Sequence, residues 1–263
     1  MQNFSFPTKQ FLGFLLMLTL FSSCATYGPA FKSQESSIYL ERPMMQDSQK
    51  VAQTYLQAQF SSGAIYKASD NNNLLRLGIH RGIAMNYFQA TFGAFALGGK
   101  YKLAGSTQDK GYWGLGVRAG CNLAFKTGEN SEIMPFGLDF SLNSETGSYY
   151  DFRRSVDSLD NEFIDISAVQ SYISMPLAYR FRVVNNTMMT IKYSYGFGGG
   201  SSSTSHSLNL SLNMNDKVVL QGFATIHGGS IKQSSVINDV FGFGLSFGIG
   251  PVDKGSKGKR TNR

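Results

Sequence analysis

The sequence predicts an all-β chain: an antiparallel, up-and-down β-barrel of the outer-membrane type, with eight to ten strands, after a lipoprotein signal peptide. Three observations predict it. Bulky apolar residues alternate with small or polar ones over most of the chain from Thr54 onward, as they do when successive side chains point to opposite faces of a strand. The stretches between these runs alternate short, long, short, long, which is the asymmetry of a barrel with tight periplasmic turns and longer outer loops. An apolar leader ends in a cysteine flanked by small residues.

Composition narrows the alternatives. Of 263 residues, 16% are charged and 13% aromatic, with 29 Gly against 6 Pro; ordinary globular chains carry roughly 25% charged residues and about 7% Gly. High aromatic and low charge content exclude disorder. Beyond the leader no stretch approaches the roughly 20 apolar residues that a spanning helix needs. The formal charge is +7, a value that points to an anionic partner only if it is spread over the fold. It is not. With Lys9, the five basic residues of the tail and Asp253 set aside, the body holds 18 basic against 16 acidic residues. Nucleic acid is therefore not an expected partner.

The chain divides into a leader (1–23), a polar tether (24–53), a barrel (54–250) and a basic C-terminal tail (251–263). Phe11 to Phe21 is apolar apart from Gly13 and Thr19, a length that suits a signal-peptide core and is too short for a membrane anchor. It runs into Phe21-Ser22-Ser23-Cys24. Small residues directly before a cysteine resemble the lipobox of bacterial lipoproteins, and the resemblance implies that Cys24 carries a palmitate-type acyl anchor, with the signal peptide exporting the protein and outer-membrane lipid as a partner. Two cysteines, Cys24 and Cys121, are too few for a disulfide framework.

In the barrel region, Phe241, Phe243, Leu245, Phe247 and Ile249 share one face, and Gly242, Gly244, Ser246 and Gly248 the other. Met189, Ile191, Tyr193, Tyr195 and Phe197 oppose Thr190, Lys192, Ser194 and Gly196. Leu208, Leu210 and Leu212 oppose Ser207, Asn209 and Ser211. Met134, Phe136, Leu138, Phe140 and Leu142 form another apolar face, as do Trp113 to Phe125 at alternate positions, with Cys121 among them. The polar faces hold Arg118, Arg180 and Arg182. Arginines do not enter a dry core unpaired, so these three are expected as charges inside the barrel. The first strands are expected near 54–66, 74–81 and 84–101, with a turn near 81–83. Without the first hairpin the count falls from ten to eight.

Cys24-Ala25-Thr26-Tyr27, a spacer and a Gly/aromatic strand array together resemble the lipid-anchored outer-membrane barrel proteins of Bacteroidetes type. The resemblance implies the location and carries over no catalytic residues. By similarity to the lipoprotein sorting rule, Ala25 after the cysteine implies the outer membrane.

Chemistry is sparsely signalled. Gly114-x-Gly116 and Gly242-x-Gly244 lack the spacing of a dinucleotide loop. His80, His206 and His227 lack metal-ligand spacing, and no cofactor or metal is expected. The longest loop, 143–165, holds Tyr149, Tyr150, Phe152, Arg153 and Arg154, followed by Asp157, Asp160, Glu162 and Asp165. Exposed loops carry binding function, and aromatic and Arg clusters favour interfaces, so these five residues are candidates for contact with a surface or periplasmic protein partner. The acidic run lacks the ligand order of a calcium loop.

The expected function is a structural or surface-interaction role without catalysis. A periplasmic barrel binding a small apolar ligand is one alternative, and it requires the bulky faces to point inward. A narrow channel and a hydrolase at the outer rim using His206 are the others.

Overall fold

The computed structural model describes residues 27–35, 38, 40–43, 50–64, 70–103, 105–157, 164–184, 186–198, 204–215, 217–227 and 238–254. The leader, Cys24 and the tail beyond 254 lie outside the described residues. The strands are β1 (Val51–Gly63), β2 (Asn71–Met85), β3 (Phe88–Lys102), β4 (Asp109–Gly128), β5 (Ser131–Ser144), β6 (Val169–Val184), β7 (Thr187–Gly198), β8 (Thr204–Met214), β9 (Val218–His227) and β10 (Asn238–Lys254). Each pairs with the next, and β1 pairs with β10 to close an antiparallel barrel of ten strands. The connections at 86–87, 129–130, 185–186 and 215–217 define a turn end. The longer ones at 64–70, 103–108, 145–168, 199–203 and 228–237 define a loop end.

The period-two pattern separates two faces, and burial shows which of them faces out. Trp113 is 60% exposed, Phe136 70% and Phe243 65%, and the alternating Leu, Phe and Ile of the other strands are exposed with them. Each side chain of this size gains about 1.5–3 kcal/mol on leaving water, so the outer surface is built for a hydrocarbon phase. Aromatic rings gather on it at two levels. Tyr87 with Phe125 and Tyr179 with Phe181 lie near the turn end; Phe60 with Phe243 and Tyr195 with Phe197 lie near the loop end. Such girdles mark the two interfaces of a membrane barrel. A ligand-binding barrel with its bulky faces inward is thereby overturned.

Four local expectations are corrected. The first tight turn, between β2 and β3, falls at Asn86 (φ 30°) rather than near 81–83, because Asn tolerates a left-handed backbone and Arg81–Met85 continue the ladder to β3. The wall begins at Val51, inside the span read as tether, and β10 runs past Gly250 to Lys254. Gly250 (φ +75°) takes up the irregularity there, and Asp253 and Lys254 pair with Ala52 and Val51. Met134 is buried inside rather than sharing the outer face of Phe136. Both neighbours of β5 register one extra residue in it around Pro135: Leu123 and Phe125 pair with Phe136 and Ile133, and Met134 and Asp139 pair with Ala178 and Ser174. Pro135 has no N–H for the ladder, and the bulge reverses the face on which later side chains fall. Finally, the longest connection is not an open loop, since Ser148–Asp157 forms a helix, α1.

Candidate functional site

The lumen holds a segment of the chain itself. Of the span read from sequence as tether, the described residues 27–35, 38 and 40–43 lie inside the wall. Tyr27, Ala30, Phe31, Lys32, Glu35, Ile38, Leu40, Glu41 and Arg42 are all buried. Pro29 opens a short 3-10 turn, Ala30–Gln34, and the rest is irregular, so its backbone groups must find partners elsewhere. The wall supplies them. Asn72 donates to the Ala30 carbonyl at 2.9 Å, Arg118 to the Glu35 carbonyl at 2.8 Å, Lys192 to the Ile38 carbonyl at 2.8 Å and Arg180 to the Arg42 carbonyl at 2.9 Å. These donors come from β2, β4, β7 and β6, so the plug is tied to much of the circumference.

Local ion pairing with the wall accounts for the segment's acidic residues. Among the described buried strand residues, Arg76, Arg118, Arg180 and Lys192 project inward against only Glu132 and Asp139. Glu35 and Glu41 of the plug set two carboxylates beside these cations, and since the same segment also buries Lys32 and Arg42, the matching is made pair by pair and not in net charge. Glu35 accepts from Arg76 at 2.7 Å and also from Ser141. Glu41 meets Arg180 at 3.3 Å and accepts from Asn213 at 3.1 Å. Arg180 also reaches Glu132 at 3.0 Å, a residue that is inside only because of the bulge at Pro135. Asp139 is the hub. It meets Arg118 at 3.0 Å, Lys192 at 3.3 Å and the plug's own Arg42 at 3.3 Å. The Arg76 guanidinium also lies 4.2 Å over the Phe95 ring, a stacking that Lys would not reproduce.

Small wall residues make room for this segment. A Cβ on Gly82 would lie 2.6 Å from the Glu41 carbonyl oxygen and 3.0 Å from the Arg42 Cα. Gly82→Val is therefore expected to displace the lower plug while leaving the β1–β2–β3 pairing intact. Limited proteolysis of the purified protein should then cut within 38–43, where the parent chain resists.

The loop end is capped from outside. Helix α1 turns Tyr149 onto the ring of Tyr101, centroids 4.2 Å apart, and the Tyr149 hydroxyl donates to the Gly28 carbonyl at 3.1 Å. Arg153 pairs with Glu145 at 2.7 Å and also donates to the Asp165 carbonyl. Burial pushes the Glu145 carboxyl above its ordinary value, while Arg153 and the Ala30 N–H, which donates to it at 2.6 Å, draw it back toward the charged form. The cap and the plug are thus one bonded unit.

The sequence-derived residues sort accordingly. Arg118 and Arg180 are inside and ion-paired, as read. Arg182 is exposed: it keeps the inward parity but sits next to the register shift at Val184, at the turn-end rim, where water replaces an internal partner. Of the loop cluster, Tyr149 and Arg153 are buried and structural, Phe152 and Tyr150 are half-buried, and Arg154 is exposed; a helix sends its residues to different sides, which a loop reading does not separate. Asp160 and Glu162 lie outside the described residues, as does Cys24. His206 accepts or donates to the Tyr193 hydroxyl at 2.7 Å on the outer surface, His80 stacks on Tyr55 inside, and His227 is buried at the other end of the barrel from Val218. Among the described residues no three of His, Cys, Asp and Glu converge on a metal-sized site. Glu35, Glu41 and Arg42 were not anticipated. The signal was the excess of inward cations on the strands, which required acidic partners from somewhere else in the chain.

No family model matches this chain, and no curated protein does. Solved structures similar to it include the β-domain of the Bordetella autotransporter BrkA (TM-score 0.42, 11% identity, covering 76% of this chain and 99% of that one). An outer-membrane channel from Pseudomonas putida F1 is similar at TM-score 0.36 and 12% identity, over 81% of this chain and 99% of that one. The translocator domain of the autotransporter NalP from Neisseria meningitidis is similar at TM-score 0.39 and 10% identity, over 82% and 93%.

Proposed function

We propose that the protein is an outer-membrane barrel lipoprotein whose lumen is kept closed by its own N-terminal segment, and that it serves in envelope structure or surface interaction. One observation carries the reading: the described residues between Tyr27 and Pro43 occupy the lumen and are bonded to strands on several sides of the wall. A barrel of this strand number has an interior that side chains largely fill; here the plug adds backbone as well. Acyl chains on Cys24 add an anchor of about 0.8 kcal/mol per buried methylene. The surface for a protein partner narrows to the outer face of α1, with Tyr150, Asp151 and Arg154. No catalytic activity forms part of this reading.

Planar-bilayer recording tests it. The full chain should produce no steady conductance steps. A variant in which a flexible linker replaces residues 27–43 should produce them, since the wall is then lined by Arg76, Arg118, Arg180, Lys192 and Asp139 with no segment between. Steady steps from the parent chain would instead support a narrow channel and sink the closed-barrel reading.

A further inference from the structure

The plug has a direction. Its contacts descend the wall in step with β2, which runs from the loop end at Asn71 to the turn end at Met85. Ala30 meets Asn72, Glu35 meets Arg76, and Glu41 to Pro43 lie against Gly82. The antiparallel β5 orders the same contacts in reverse: Glu145 just past its end meets Ala30, Ser141 meets Glu35, and Asp139 meets Arg42. At the top, Tyr27 bridges to Ile164 and accepts a bond from the Asp165 N–H at 3.0 Å, both in the longest outer connection, and its ring meets Phe152 of α1. Val51 then opens β1 at the turn end. The chain therefore enters the lumen from the loop end and leaves it at the turn end.

We infer that whatever precedes Tyr27 is displayed on the loop side of the membrane, and that an acyl group on Cys24 seats in the outer leaflet, facing the cell exterior. Chain length enforces this whatever shape residues 24–26 take. Cys24 is three residues from Tyr27, a reach of about 10 Å at full extension. The apolar band of such a barrel is about 25 Å tall, so Cys24 cannot return to the periplasmic leaflet. The loop side is the exterior side because the longer connections face out. The display of the N-terminus stands on the plug geometry alone; its acyl part rests on the lipoprotein reading above.

The experiment separates the two. A short epitope is inserted between Thr26 and Tyr27 of the full chain in a Gram-negative host, with a matching insertion at the 215–217 turn as a periplasmic reference. Antibody on intact cells should stain the first and not the second. Metabolic labelling with an alkynyl palmitate, compared with Cys24→Ala, reads acylation independently. Staining with labelling supports the whole inference. Staining without labelling supports the display and overturns the lipid. A folded protein whose Thr26 epitope stains only after permeabilisation overturns the display, even if Cys24 is labelled. Where the insertion prevents folding, as judged by loss of the heat-modifiable band on gels, Thr26→Cys labelled on intact cells with a membrane-impermeant maleimide replaces it, with the parent chain as the control for Cys24 and Cys121 and with the same expected and overturning outcomes.

Discussion

Asp139→Ala is expected to cost about 3–5 kcal/mol of unfolding free energy, the range for removing one partner of a buried ion pair. Asp139 is 4% exposed and meets Arg42, Arg118 and Lys192 at 3.0–3.3 Å. Its loss leaves three cations facing one another across the lumen, with the plug's Arg42 among them. Asp139→Asn keeps the shape but not the charge, and should fall close to the alanine variant. Urea unfolding in lipid vesicles measures it. The single tryptophan, Trp113, lies on the lipid-facing surface and its emission should move to the red on unfolding. A change under about 1 kcal/mol would show that water, rather than Asp139, balances these cations.

The second large effect concerns the plug alone. Glu35→Ala removes the carboxylate that meets the buried Arg76 and accepts from Ser141, in the middle of the descending segment. The wall strands keep all their ladder bonds, so the barrel should stay folded and heat-modifiable. The plug should lose roughly 3 kcal/mol of docking free energy on the same scale, about a hundredfold in its bound-to-released ratio. Limited proteolysis should cut near the plug, and bilayer recordings should show brief openings absent from the parent chain. Pairing Glu35→Ala with Arg76→Ala tests whether the two act through one another. If the double variant is no worse than the single, the Glu35–Arg76 contact is the latch. If the two effects simply add, the plug is held by the backbone bonds and not by this pair.

Much of the wall was legible from residues alone. The alternation in Phe241–Ile249 and in Leu208–Leu212 depends only on the two-residue repeat of a strand, and that repeat needs no tertiary information to be read. Where the repeat slips, it misleads. At Pro135 one extra residue moved Met134 and Glu132 to the inside, and only pairing with β4 and β6 reveals a bulge. Tyr149 and Arg153 were placed at a surface because their segment follows no period-two pattern; a ten-residue helix has its own spacing, and which of its sides is covered depends on Tyr101, Glu145 and Gly28. Arg180 and Arg182 were equivalent by parity, yet the height of each along β6 separates an ion-paired residue from one at the rim.

The span 27–43 shows the larger limit. Its sequence lacks periodicity, because irregular chain inside a barrel borrows its hydrogen bonds from the wall instead of repeating its own. Nothing local distinguishes such a segment from a solvated tether. By itself the sequence determined the strands, their division into a bulky apolar and a small or polar face, and the presence of arginines on the polar face, since each of these is a property of one strand. Only the tertiary structure decided that Glu35 and Glu41 meet those cations, that the plug runs from loop end to turn end, and so on which side the N-terminus lies. Those are relations between residues tens to more than a hundred positions apart, and they exist only once β1 has paired with β10 and the wall has closed.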